Sequence, residues 1–166
     1  MGLTDRLQAD LRTSMREGDE LRRSTLRMAL AAAQNAEKEK RAPLSDDEAV
    51  AIISREVKRR RESIEAFEKA GRTDLADREK AEVEVLTPYL PAQLGEDELL
   101  PLVQQAIAET GATSARDLGR VMGALKSQVK GRADGKVLSG LVAQELARAD
   151  LAAHAHAASS KESRGA

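Results

Sequence analysis

Apolar residues recur along the chain at helical spacing, and the pattern is interrupted at a few sharp points. Leu3, Leu7, Leu11 and Met15 step along one face and predict a first helix over roughly 4–17, closed by Gly18. Asp19 then caps a second helix with Leu26, Leu30, Ala33 and Ala36 on one face, broken at Arg41-Ala42-Pro43. Ser45 with Glu48 three residues later forms a capping box, with Leu44 and Ala49 placed as a hydrophobic staple. A long helix from about Asp46 to Ala70 follows, with the stripe Ile53, Val57, Ile64 and Phe67. Its missing step falls on Arg60 or Arg61. A fourth helix spans Thr73 to Thr87, with Leu75, Val83 and Leu86 inward.

Pro88-Tyr89-Leu90-Pro91-Ala92-Gln93-Leu94 breaks the helical pattern, because two prolines in four residues cannot continue it. Tyr89 and Leu90 are apolar enough to dock, so the expectation is a packed linker. A fifth helix carries Leu99, Val103, Ala106 and Ile107 and ends at Gly111, and Pro101 is expected to bend or delay its start. Ser114 opens a sixth helix with the stripe Val121, Met122, Leu125 and Val129, ended by Lys130-Gly131. Asp134 can cap a seventh, from Gly135 to about Ala149, with Val137, Leu141 and Val142. The reading is an all-α, multihelical chain of two small domains. The first, 1–90, holds about four helices; the second, 95–149, holds three; residues 150–166 are expected to be a disordered tail.

Composition narrows the chemistry. The 166 residues hold 27 basic and 28 acidic side chains, so a nucleic-acid role needs a local patch rather than bulk charge. Cysteine is absent, which removes disulfides, thiolate metal sites and cysteine nucleophiles. Phe67 and Tyr89 are the only aromatics, too few for base-stacking RNA recognition. No apolar run reaches membrane-spanning length, so no membrane partner is expected, and neither is DNA. The N-terminal stretch lacks a signal-peptide apolar segment, and a cytoplasmic location is the expectation.

Two basic groups stand out. Lys126, Lys130, Arg132 and Lys136 flank the turn at Gly131, opposed locally only by Asp134. Two helices packed by their apolar faces would bring these cations to one corner, where a helix N-terminus also favours phosphate. The plain alternative is a solvated turn. Lys58, Arg59, Arg60 and Arg61 form a second candidate basic face on the long helix. For these the plain alternative is pairing with Glu56, Glu62 and Glu65, and the acidic fourth helix offers Glu79 and Glu82 to Arg59–Arg61. A metal reading of Glu79 and Glu82 lacks support, because a helical carboxylate site needs Glu-x-x-His and the only histidines, His154 and His156, lie in the tail. Gly119 and Gly123 lie four apart on the sixth helix, at a cost of about 1 kcal/mol each relative to Ala. Close helix packing is the expectation they raise, with close approach of RNA to bare backbone as the alternative. There is no catalytic constellation, no metal set and no cofactor motif.

The run GRVMGALKSQVKGRADGKVLSGLVAQEL resembles the tail domain of the B subunit of tRNA-dependent amidotransferases, where a V-M-x-x-x-K-G-K-A-N-P-K-x-V pattern stands at the corresponding place. The stretch Arg59 to Leu94, with its Y-L-P-x-Q-L signature, resembles the middle of free-standing YqeY-like proteins of the GatB/YqeY domain family. The resemblance covers roughly residues 3 to 148. It implies a non-catalytic module that grips tRNA through Lys126, Lys130, Gly131, Arg132 and Lys136. It also implies accessory work for a glutamine-dependent carbon–nitrogen ligase, with an amidotransferase or aminoacyl-tRNA synthetase as partner. The competing reading is a protein–protein adaptor that uses the long charged helix.

Overall fold

A computed structural model describes residues 1–162. Among them every regular element is a helix. The chain forms two compact units, Met1–Ala92 and Gln93 onward.

The first unit holds α1 (Leu3–Glu17), α2 (Glu20–Lys40), α3 (Asp46–Lys69) and α4 (Thr73–Leu86). Its core joins Leu3, Leu7, Leu26, Leu30, Ile53, Val57, Leu86 and Tyr89. The stripe of α1 departs from the four-step expectation. Ser14 is fully buried and Met15 is exposed. With 3.6 residues per turn, each step of four drifts about 40° around the helix, so by Met15 the stripe has rotated out of the core. The Ser14 hydroxyl donates to the Leu11 carbonyl at 2.7 Å, which makes its burial tolerable. The capping box of α3 forms as the sequence predicts: Glu48 N–H donates to Ser45 Oγ at 3.2 Å, and Ser45 N–H donates to Glu48 Oε2 at 2.7 Å.

The missing step in the α3 stripe is filled by Arg60, which is 3% exposed. It survives burial because its guanidinium is satisfied on several sides. Nε donates to Glu82 of α4 at 2.8 Å, and Nη1 to the Glu56 carboxylate at 2.9 Å and the Glu56 carbonyl at 3.0 Å.

After α4, one 3-10 turn carries Thr87–Tyr89. Tyr89 docks as expected: it is 5% exposed, its hydroxyl donates to Asp10, and the Arg6 guanidinium lies 4.9 Å from its ring centroid. Burial, and then the bond to Asp10, push the Tyr89 phenol above its ordinary pKa.

The second unit holds α5 (Glu96–Thr110), a 3-10 turn at Ala115–Asp117, α6 (Leu118–Val129) and α7 (Gly135–Glu162). Leu99, Val103, Val121, Leu125, Leu138, Val142 and Leu146 form its core. Three expectations are corrected here. The start of α5 is not delayed: Gly95 caps it, its N–H donating to Glu98 at 2.9 Å, and Pro101 sits inside the helix on its exposed side. In α7, Leu138 takes the buried position and Val137 is 43% exposed. The tail does not begin as disordered chain, because α7 continues through Leu151 to Glu162. No glycine or proline interrupts 141–162, and Ala, Leu, Lys and Glu favour helix even without packing. Residues 163–166 of the expected tail lie outside the described residues.

Candidate nucleic-acid interface

The corner between α6 and α7 is built by a tight turn. Val129 ends α6, and its carbonyl accepts from Arg132 N–H at 2.9 Å. Lys130 has φ −54° and ψ 117°, and Gly131 has φ 70°. These are the dihedrals of a type II turn, whose third position needs positive φ and so favours glycine. The turn fixes where the flanking cations stand. Lys126 is on the last turn of α6, Lys130 and Arg132 border Gly131, and Lys136 is in the first turn of α7. Lys126, Lys130 and Lys136 are exposed, and Arg132 is half-buried.

Two residues that the sequence reading left in the linker help to hold this turn. Gln93 Nε2 donates to the Gly131 carbonyl at 2.8 Å, and Leu94 N–H donates to the Arg132 carbonyl at 2.8 Å. Leu94 also packs against the second core. The Y-L-P-x-Q-L signature therefore serves both units: Tyr89 anchors in the first, and Gln93 and Leu94 brace the basic turn of the second. The signal was present in the polar Gln beside an apolar Leu, but no local pattern says which distant carbonyls they reach.

The N-terminus of α7 is less open to phosphate than its position suggests. Asp134 Oδ1 accepts from Lys136 N–H at 2.8 Å, so a carboxylate already occupies the cap. What this corner can still offer an anion is its side chains.

The glycines correct the expectation of close packing. A Cβ placed on Gly119 or Gly123 would meet no heavy atom of the described residues within 4 Å, and the same holds at Gly135 and Gly140. Close packing does not account for them. Gly119 and Gly123 give α6 an outward strip of bare backbone, one face leading to Lys126 and Lys130, with exposed Arg116 and Arg120 alongside. On α7, Lys136 and Gly140 repeat the pairing of cation and glycine one turn apart.

The second candidate basic face does not hold together. Arg60 points inward to Glu56 and Glu82, while Lys58 and Arg59 are exposed and Arg61 is half-buried. Four consecutive helical residues span almost a full turn, so they cannot share one face. The expected pairing of the acidic fourth helix with this run is met by Glu82 and Arg60. Glu79, half-buried beside Glu82, has its pKa raised by burial first and by that neighbour second. Among the described residues, no group of three His, Asp or Glu could hold a metal ion, and no helix is long and apolar enough to cross a membrane.

The described residues thus form two all-helical units, the second carrying a cation-lined corner beside exposed helix glycines. Residues 4–146 match the family model described as Yqey-like protein, and the chain belongs to that family. Among curated proteins it is similar to "Altered inheritance of mitochondria protein 41, mitochondrial" from Pyrenophora tritici-repentis, 38% identical over 133 residues, covering 77% of this chain and 71% of the relative. The proteins of the same name from Eremothecium gossypii and Lachancea thermotolerans are 37% and 35% identical, over 52% and 51% of this chain. The chain spans about half the length of these two, 48% and 46%. All three relatives are mitochondrial by name, which overturns the cytoplasmic expectation. That expectation rested only on a missing signal segment, which says nothing about organelles.

Proposed function

We propose that the second unit binds the sugar–phosphate backbone of folded RNA, tRNA being the class implied by the resemblance to the amidotransferase tail domain. The observation that carries this reading is the pairing of unpacked helix glycines with cations on α6 and α7. Glycine within a helix costs about 1 kcal/mol against alanine, and nothing inside the described chain recovers that cost. A backbone strip without side chains lets a polymer lie within van der Waals distance of the helix, and Lys126, Lys130, Arg132 and Lys136 supply its counter-charge. Recognition is by shape and phosphate, since the unit has no Phe, Tyr or Trp with which to stack on bases. The module contributes grip and no chemistry; carbon–nitrogen ligation would lie with a partner amidotransferase, and aminoacylation with a partner synthetase.

The test is binding of the full chain to total tRNA across a salt series. With four cations on phosphates, log affinity falls against log salt with a slope of about −3. Changing Lys126, Lys130, Arg132 and Lys136 to Ala removes most of that slope. Absence of binding at low salt, or an unchanged slope in the variant, defeats the reading.

A further inference from the structure

The first unit carries a surface feature that RNA binding does not use. Between α2 and α3 run two adjoining depressions that share Glu56 and Arg59. The larger is a cavity of ≈ 210 Å³ and the smaller one of ≈ 80 Å³. Along α2 the wall is Met28, Ala32 and Ala36, one turn apart from each other, with Ile52 of α3 facing them. Met28 is 54% exposed, so the core of the unit leaves this stripe partly uncovered. The groove from Met28 to Glu39 is eleven helical steps, about 17 Å, or three turns of a docked helix.

Charge lies in the middle of the groove. Arg55 and Arg59 stand one turn apart on α3. Among the described residues the Arg55 guanidinium reaches only the Ala51 carbonyl, at 3.5 Å, and Arg59 meets Glu56 at a loose 3.8 Å. The Glu56 carboxylate is already committed to the buried Arg60 at 2.9 Å. Two guanidinium groups therefore flank an apolar floor without a close carboxylate of their own among the described residues. The two ends are acidic: Glu39 at one, and Glu79 at the other, where Glu82 is already paired with Arg60. A continuous polyanion would meet repulsion at both ends and an apolar floor in between, so the arrangement disfavours a nucleic-acid strand. A peptide helix satisfies all three parts of the groove.

We infer that the α2–α3 groove docks an amphipathic helix of a partner protein, one that presents small or apolar residues to Met28, Ala32 and Ala36 and two acidic residues, four apart, to Arg55 and Arg59. The recognition mode is helix-in-groove, with the guanidinium pair setting register and orientation.

The test places the photo-crosslinking residue p-benzoylphenylalanine at Asn35, beside the groove, in the full chain expressed in its host. The same probe at Asp77, exposed on α4, gives the background. The expected result is one recurrent protein segment, mapped by mass spectrometry, that carries acidic residues at i and i+4. Its yield falls at least about tenfold in the double variant Arg55→Glu, Arg59→Glu, the loss expected when about 1.4 kcal/mol of charge complementarity is removed. The neutral pair Arg55→Gln, Arg59→Gln serves if the reversal unfolds the unit. Changing the two mapped acidic residues to Lys restores crosslinking to the charge-reversed chain, and tRNA binding by the second unit is unaffected throughout. Crosslinks to RNA, to a second copy of this chain or to a segment without the acidic pair overturn the inference. So does a yield at the Asp77 background, or one insensitive to Arg55 and Arg59.

Discussion

Arg60 Nε donates to Glu82 Oε2 at 2.8 Å, and the pair ties α3 to α4 inside the first unit. The side chains of Arg60 and Glu82 are only 4% and 11% exposed. Breaking one partner of a buried pair strands a charge, whereas removing the whole group does not. Glu82→Ala leaves Arg60 with Glu56 as its remaining carboxylate and an unmet Nε donor, and is expected to cost about 1–3 kcal/mol, read by urea unfolding. Replacing Glu56, Arg60 and Glu82 together with Leu, Met and Leu is expected to give a more stable protein than the single variant. A triple variant less stable than Glu82→Ala would show that the network contributes more than mutual charge satisfaction.

The α3 capping box makes a prediction about pH. Glu48 is held at about 2, below its ordinary 4.5, first by the bond from Lys40 and then by bonds with Ser45. A carboxyl with a depressed folded-state pKa adds stability above its unfolded value and loses it as pH falls toward the folded value. Glu48 should therefore support the fold fully above about 4.5 and lose that support between 4.5 and 2. Thermal unfolding followed from pH 7 to pH 2 should show Glu48→Gln less stable at neutral pH and converging with the wild type in acid. Parallel curves would contradict the assignment.

The outer half of α7 is helix without a core. Leu151 is 72% exposed, and every residue from 151 to 161 is exposed. Deleting the chain from residue 151 onward should shift the unfolding midpoint by no more than about 1 °C, because residues 151–161 are all exposed. A drop of several degrees would mean that this segment packs on something in solution.

Much of the architecture is legible in the sequence, because apolar spacing, the Ser45–Glu48 box and the glycines at 18, 111 and 131 are local signals. The errors arise where geometry accumulates or partners are distant. Met15 fails through helical drift over three steps. Val137 fails because two adjacent apolar residues compete for one inward position. The helix beyond Ala149 escapes the pattern because 151–161 carry no buried apolar stripe, although their residues favour helix as the continuation of α7. In the site, the cations and the turn are readable from Lys126 to Lys136. The bracing by Gln93 is not, since it crosses 38 residues. Nor is the role of Gly119 and Gly123, because packing against a neighbour and exposure on a bare strip have the same sequence.

The glycine strip carries the most direct test of the account. In Gly119→Ala, Gly123→Ala the added methyl groups meet nothing within 4 Å, so the second unit should gain about 1 kcal/mol per site. The decisive measurement is tRNA affinity of the bulkier pair Gly119→Gln, Gly123→Gln at fixed salt, with helix content checked by circular dichroism. The account predicts a loss of about tenfold or more, with the salt slope unchanged because no cation is removed. A Gln variant that folds and binds tRNA as tightly as the wild type would contradict close backbone approach at α6.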